Sequence, residues 1–171
     1  QPKAANISGV ISVTAEINPA ASYKRHDQGW VDEIISDLDT LVERVKLAKE
    51  KKEVVSIAYD GNIVELWEKF EKENIFVDLG TDQTSLHNPW AGGYYPVGLT
   101  FEESNELMVS NPDLFKEKVR ESLRRQADTI NKHAARGTYF FDYGNAFLLE
   151  ASRAGADVMA KDGINVIINF K

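Results

Sequence analysis

The segment "TDQTSLHNPWAGGYYPVGLTFEES", residues 81–104, gathers many of the side chains in this sequence that could do chemistry. It holds neither a helical nor a strand period, and it far exceeds the roughly 4–6 residues of an ordinary connection. Gln83, Thr84, Ser85, His87 and Asn88 place hydrogen-bond donors and acceptors in close succession, ahead of Trp90, Gly92, Gly93, Tyr94 and Tyr95. His87 reads either as a general base or as a hydrogen-bonding fixture of the loop. Tyr94 and Tyr95 could stack on or hydrogen-bond a flat heterocycle, or could instead pack the loop onto a sheet. The double glycine would let the backbone bend and approach a ligand closely. As a surface connection, the segment is expected to add little to the core.

Other reactive groupings are scarce. His26, His87 and His133 show no paired ligand spacing, which gives no basis for a zinc site. The absence of cysteine removes disulfides, thiolate ligands and a cysteine nucleophile from these residues. No Walker loop, Ser-His-Asp spacing or G-x-G-x-x-G is present. A net charge of -7 and a pI near 5.0 oppose nucleic acid or an anionic membrane as the main partner, since both need clustered positive charge. No run reaches the roughly 18 apolar residues of a membrane helix, and the first residues do not resemble a signal peptide, so the chain reads as soluble. With 171 residues and 43% hydrophobic content, it can bury the core of one domain.

The elements that must position the loop alternate in type. "PKAANISGV" reads as a short helix and "ISVTAEI" as a strand ending at Glu16. Asn18, Pro19 and Gly29 mark the cap, first turn and stop of a second helix, followed by the short strand "VDEII". Behind the cap candidate Ser36, Leu38, Leu41, Val42, Val45 and Leu47 keep near-helical spacing, and "VVSIAYD" reads as a buried parallel strand. Asp60-Gly61-Asn62 is a turn, the helix "IVELWEKFEKEN" follows, and "IFVDLG" is the strand entering the polar loop. Beyond it come two helices broken near Asn111-Pro112, the strand "TYFFDYG", a helix ended by Gly155, and the strand-like tail "INVIINF".

This alternation predicts a three-layer α/β fold around a mostly parallel sheet, where ligands sit outside the carboxyl ends of the strands. Four groups follow strand ends: Glu16; Gly61 and Asn62; the loop Gln83 to Tyr95; and Asp142, Tyr143, Gly144 and Asn145. A carboxylate such as Glu16 can accept hydrogen bonds from two vicinal ribose hydroxyls, or can simply be a solvated strand-end charge. The strand-to-helix junction at Tyr143 suits phosphate. The residues alone therefore describe a nucleotide-binding α/β domain.

"DQTSLHNPWAGGYYPVGLTFEES" and "FFDYGNAFLLEASRAGA" together resemble the Rossmann-like domain of the urocanase family. The resemblance extends over "QPKAANISGVISVTAEINPAASYKRHDQGWVDEIISDLD" and "SIAYDGNIVELWEKF", so it covers residues 1–171 with no large gap. It implies a hydro-lyase in which NAD serves as an electrophile for the imidazole of urocanate, water then adds, and imidazolone propionate leaves, a step of histidine degradation. It implies cofactor contacts at Glu16, Asn62 and Ile63, at Gln83, Thr84, Ser85, Leu86 and His87, and at Tyr94, Tyr95 and Tyr143. A cytoplasmic, homodimeric parent is also implied. The family's first strand and glycine-rich pyrophosphate loop are expected before Gln1, and its active-site cysteine beyond Lys171. The competing expectation is an α/β module that binds no ligand and serves structure or interaction.

Overall fold

Helix α1 (Pro2–Ile7) opens an alternating series: β1 (Ser12–Glu16), α2 (Pro19–Asp27), β2 (Glu33–Ile35), α3 (Leu38–Lys51), β3 (Ser56–Asp60) and α4 (Ile63–Lys72). The computed structural model describes residues 2–142, 144 and 146–158, and these divide into two units, one up to Lys69 and one from Phe70. In the first unit the strand order is β1-β3-β2 and both ladders are parallel. The most apolar strand, β3, takes the centre, with Ile57, Ala58 and Tyr59 buried. That placement suits a run of consecutive apolar residues, which needs cover on both faces.

Local signals set most boundaries here. Asn18 caps α2 by accepting the Ala20 N–H, Pro19 follows, and Gly29 leaves the helix at φ +66°. The expected cap of α3 at Ser36 is corrected to Asp37, whose Oδ1 accepts the Thr40 N–H at 2.7 Å. A carboxylate there satisfies a first-turn donor and also opposes the helix dipole. The buried stripe of α3 is Leu41, Val42, Val45 and Ala48; Leu47 is 40% exposed because it lies two residues past Val45, about 200° around the helix.

Asp32, Ser56 and Asn6 tie α1 and β3 to the approach of β2. Asp32 Oδ2 accepts the Ser56 N–H at 2.8 Å, the Ser56 hydroxyl at 2.9 Å and the Asn6 amide at 2.9 Å. Arg44 joins Glu33 of β2 to Glu53 beyond α3, and these carboxylates raise its already high pKa.

The second unit contains β4 (Leu79–Asp82), a 3₁₀ turn at Pro89–Ala91, α5 (Phe101–Ser110), α6 (Pro112–Ala135), β5 (Tyr139–Asp142) and α7 (Phe147–Arg153). β4 and β5 pair in parallel, from Leu79 opposite Tyr139 to Asp82 opposite Asp142. The expected strand at 75–80 thus lies further on, since pairing with β5 sets the register and Phe76 is 45% exposed. Pro112 separates α5 from α6, and Asn111 caps α6 through the Leu114 N–H. Phe115, Val119, Leu123, Ala127 and Ile130 form the buried stripe of α6. Helices alternating with parallel strands make this an α/β protein, as the sequence predicts. Tyr143, Asn145 and the tail "INVIINF" lie outside the described residues.

Candidate functional site

At the end of β4, Asp82 turns the chain into the polar loop. Its Oδ1 accepts the Thr84 N–H at 2.9 Å, so the aspartate closes a short turn on its own backbone. Beyond it, orientation alternates: Gln83, Ser85 and His87 are exposed and Thr84 is half-buried, while Leu86 is fully buried. Pro89 and Tyr94 are buried as well. The expectation that this loop adds little to the core is therefore corrected. Leu86, Pro89, Tyr94 and Pro96 are interior, and exclusion of their apolar surface from water holds the backbone in place.

Tyr94 packs the loop inward. It is 1% exposed, and its hydroxyl donates to Gln126 Oε1 of α6 at 2.8 Å. Burial pushes its phenol well above the ordinary range, with the Asp82 charge adding to the effect. Gln126 Nε2 in turn donates to Asp82 Oδ2 at 2.9 Å. Tyr95 is half-buried, stacks on Phe101 with ring centroids 5.1 Å apart, and donates to Asn105 Oδ1 at 3.0 Å. The two adjacent tyrosines thus point to different helices, α6 and α5.

The glycines between have distinct causes. Gly92 sits at φ +83°, where a side chain is strained. Gly93 needs to be glycine for space, because a Cβ there would collide with the carbonyl oxygens of Ser85 and Asn88. The loop folds back on its own main chain at that point.

The first unit presents its own strand ends. Glu16 and Asp60 are opposite one another at the carboxyl ends of β1 and β3. Glu16 Oε1 accepts the Asn18 N–H at 3.0 Å, which fixes the carboxylate against the start of α2. Asp60 has its pKa raised by burial. Gly61 donates its N–H to the Glu16 carbonyl at 3.0 Å, and any Cβ there would strike the Tyr59 ring. Burial, then the Glu65 charge, pushes the Tyr59 phenol up to about 12. Asn62 is buried and accepts the Val64 N–H at 2.9 Å, which caps α4, and Ile63 is the half-buried first residue of that helix.

The three histidines have separate settings. His87 is exposed on the loop, and His26 lies on α2 beside Asp27. His133 is buried, with Arg136 donating to its Nδ1 at 3.1 Å and Glu71 3.7 Å from its Nε2. Among the described residues no group of three or more His, Cys, Asp or Glu could hold a metal ion. The second unit's loop can instead display polar donors and acceptors over a bed of buried side chains, which suits recognition of a polar ligand. Sequence reasoning missed Asp82 and Gln126. The available signal for Gln126 was a polar residue set within the apolar stripe of α6 between Leu123 and Ile130.

Residues 1–169 match the family model described as the Urocanase Rossmann-like domain. The chain is 60% identical over 160 residues to a "Probable urocanate hydratase" of Dictyostelium discoideum, covering 93% of this chain and 24% of that protein. A "Probable urocanate hydratase" of Caenorhabditis elegans is 56% identical over 163 residues, 95% of this chain and 24% of its own length. The human "Urocanate hydratase" is 55% identical over 166 residues, 94% of this chain and 25% of the human protein. The chain thus spans about a quarter of the length of these curated relatives.

Proposed function

This chain belongs to the urocanase family, and on that premise we propose that it is the NAD-holding part of a urocanate hydratase, the hydro-lyase that adds water to urocanate to give imidazolone propionate. The observation that carries this reading is the loop after β4: exposed Gln83, Ser85 and His87 stand on a bed of buried Leu86, Pro89 and Tyr94. A Rossmann-like domain fits nucleotide binding, and ligands of such folds sit at the carboxyl ends of strands.

The donor set suits a dinucleotide. Gln83, Thr84, Ser85 and His87 offer amide, hydroxyl and imidazole groups to ribose and phosphate oxygens. The side chains of Leu86 and Tyr94 are committed to the interior, so in this reading they hold the loop's shape. In the first unit, Glu16 is held by its Asn18 hydrogen bond as an acceptor for ribose hydroxyls, and Asn62 and Ile63 contribute the start of α4. Tyr143 completes the proposed contacts. When bound, the nicotinamide would supply an electron-poor ring that makes urocanate reactive toward water. The chain's own residues bind and orient; none of the described ones is assigned a proton transfer.

The same reading takes the parent to be a cytoplasmic homodimer with urocanate as its substrate. Among the described residues no helix is long and apolar enough to cross a membrane. The test is cofactor retention in the full-length protein, with NAD released by acid and quantified by chromatography. Replacing Gln83, Ser85 and His87 together by Ala should weaken NAD binding at least about tenfold, as expected from losing hydrogen bonds worth about 0.5–1.5 kcal/mol each. Undiminished NAD and turnover in that triple variant would defeat the assignment. A parent that binds no NAD at all would favour a module without a ligand.

A further inference from the structure

We propose that Gln126 of α6 is the positioning residue of the loop, its one amide tying the loop's start at Asp82 to its end at Tyr94 and so fixing how Gln83, Ser85 and His87 are presented. The inference rests on the NAD reading only for its effect on affinity.

Gln126 is completely buried, as are Asp82 and Tyr94 to within a few per cent of exposure. Its amide has one favourable orientation, because the Asp82 carboxylate can only accept. Nε2 must therefore face Asp82 at 2.9 Å, which leaves Oε1 to receive the Tyr94 hydroxyl at 2.8 Å. Both bonds lie in a low-dielectric interior, where a lost partner costs more than at the surface. The two loop ends are 12 residues apart in sequence, and holding both on one side chain removes much of the freedom that an open loop would keep.

α6 extends this hold by one turn. Ser122 Oγ accepts the Val97 N–H at 2.9 Å and donates to the Lys118 carbonyl at 2.7 Å. A displacement of Tyr94 cannot be absorbed by its neighbour either, since Gly93 lies directly against the Ser85 and Asn88 carbonyls. Movement at Tyr94 is thus passed to the backbone on both sides of His87. Gln126 touches no proposed ligand atom and acts through the loop alone.

The experiment compares full-length wild type, Gln126→Met and Gln126→Glu by amide hydrogen exchange without nucleotide, and then by NAD titration. Met keeps the shape and loses both bonds. Exchange of loop amides 83–95 should accelerate at least about tenfold in it, with NAD affinity falling by a similar factor, while the strands keep their protection. Glu can accept from Tyr94 but sets a second carboxylate against Asp82, so one of the pair should bind a proton well above the usual range. Once protonated, it donates to Asp82 again. Loop protection in Gln126→Glu, corrected for intrinsic exchange, should therefore be poor at about pH 8 and recover toward wild type near about pH 5.5. A packing role would not produce that conditional rescue. Wild-type loop protection in Gln126→Met, loss spread evenly over α6 and β5, or no recovery in Gln126→Glu would each overturn the proposal. If wild type binds no NAD, the proposed function falls, and the exchange data still decide the role of Gln126.

Discussion

At the scale of single residues, Gly93 and Gly92 separate two reasons for lacking a side chain. Gly93→Ala would drive a methyl group into the Ser85 and Asn88 carbonyls, which cannot retreat without moving the loop. It should cost about 1–3 kcal/mol, the range for overpacked sites. Gly92→Ala meets only Tyr95 and Met108 side-chain atoms at 3.5 and 3.8 Å and should cost about 1–2 kcal/mol for its left-handed backbone. Urea denaturation should therefore show Gly92→Asn milder than Gly92→Ala, with no such relief from Asn at Gly93. Equal behaviour at both positions would contradict the distinction. The tyrosines differ in the same way. Tyr94→Phe leaves Gln126 Oε1 bare in the core and should destabilise by about 1–3 kcal/mol, whereas Tyr95→Phe, at a half-buried site, should lose about 0.5–1.5 kcal/mol or less. A melting series of the two variants decides it.

At the scale of elements, one carboxylate, that of Asp32, gathers hydrogen bonds from α1 and β3 beside β2. The Ser56 N–H, and after it the Asn6 amide, hold the Asp32 carboxyl below its ordinary value of 3.8. A depressed carboxylate stabilises the fold above its unfolded pKa, and that contribution fades as pH falls through the lower folded value. The affected window is thus at and below about pH 4. Asp32 is exposed, so water screens the effect to about 1 kcal/mol or less. Urea midpoints followed from about pH 6 down to about pH 2.5 should show wild type losing more stability than Asp32→Asn across that window. Parallel curves would mean that the junction is held by packing and not by this charge.

At the scale of the molecule, the chain's length against its relatives governs what it can do alone. It covers 24–25% of proteins named urocanate hydratase or probable urocanate hydratase. The proposed contacts would hold a cofactor, yet catalysis also needs groups complementary to the transition state, and none of the described residues is assigned that part. The isolated 171-residue chain should therefore leave urocanate unchanged at any NAD concentration, followed by ultraviolet absorbance. Its consumption by the purified chain would show that these residues carry the reaction themselves.

Features set by local chemistry were legible in residue order. Asn18-Pro19 starts a helix, Asn111-Pro112 divides two others, and "VVSIAYD" contains the central strand. The long motifs also identified the urocanase family, because a family signature is written in residue order. In the structure a T-x-x-E capping box at Thr100 and Glu103 starts α5, and it too is a local pattern. Tertiary structure alone decided which way the loop's residues face. Leu86 and Tyr94 are buried where Gln83 and Tyr95 are not, and for Tyr94 the inward partner is Gln126 of α6. The partners of that decision are 32 and 44 residues apart, Tyr94 with Gln126 and Asp82 with Gln126. No sequence period spans such distances, since burial follows from how elements pack, and the β4 register and the role of Gln126 became visible only once α6 and β5 were in place.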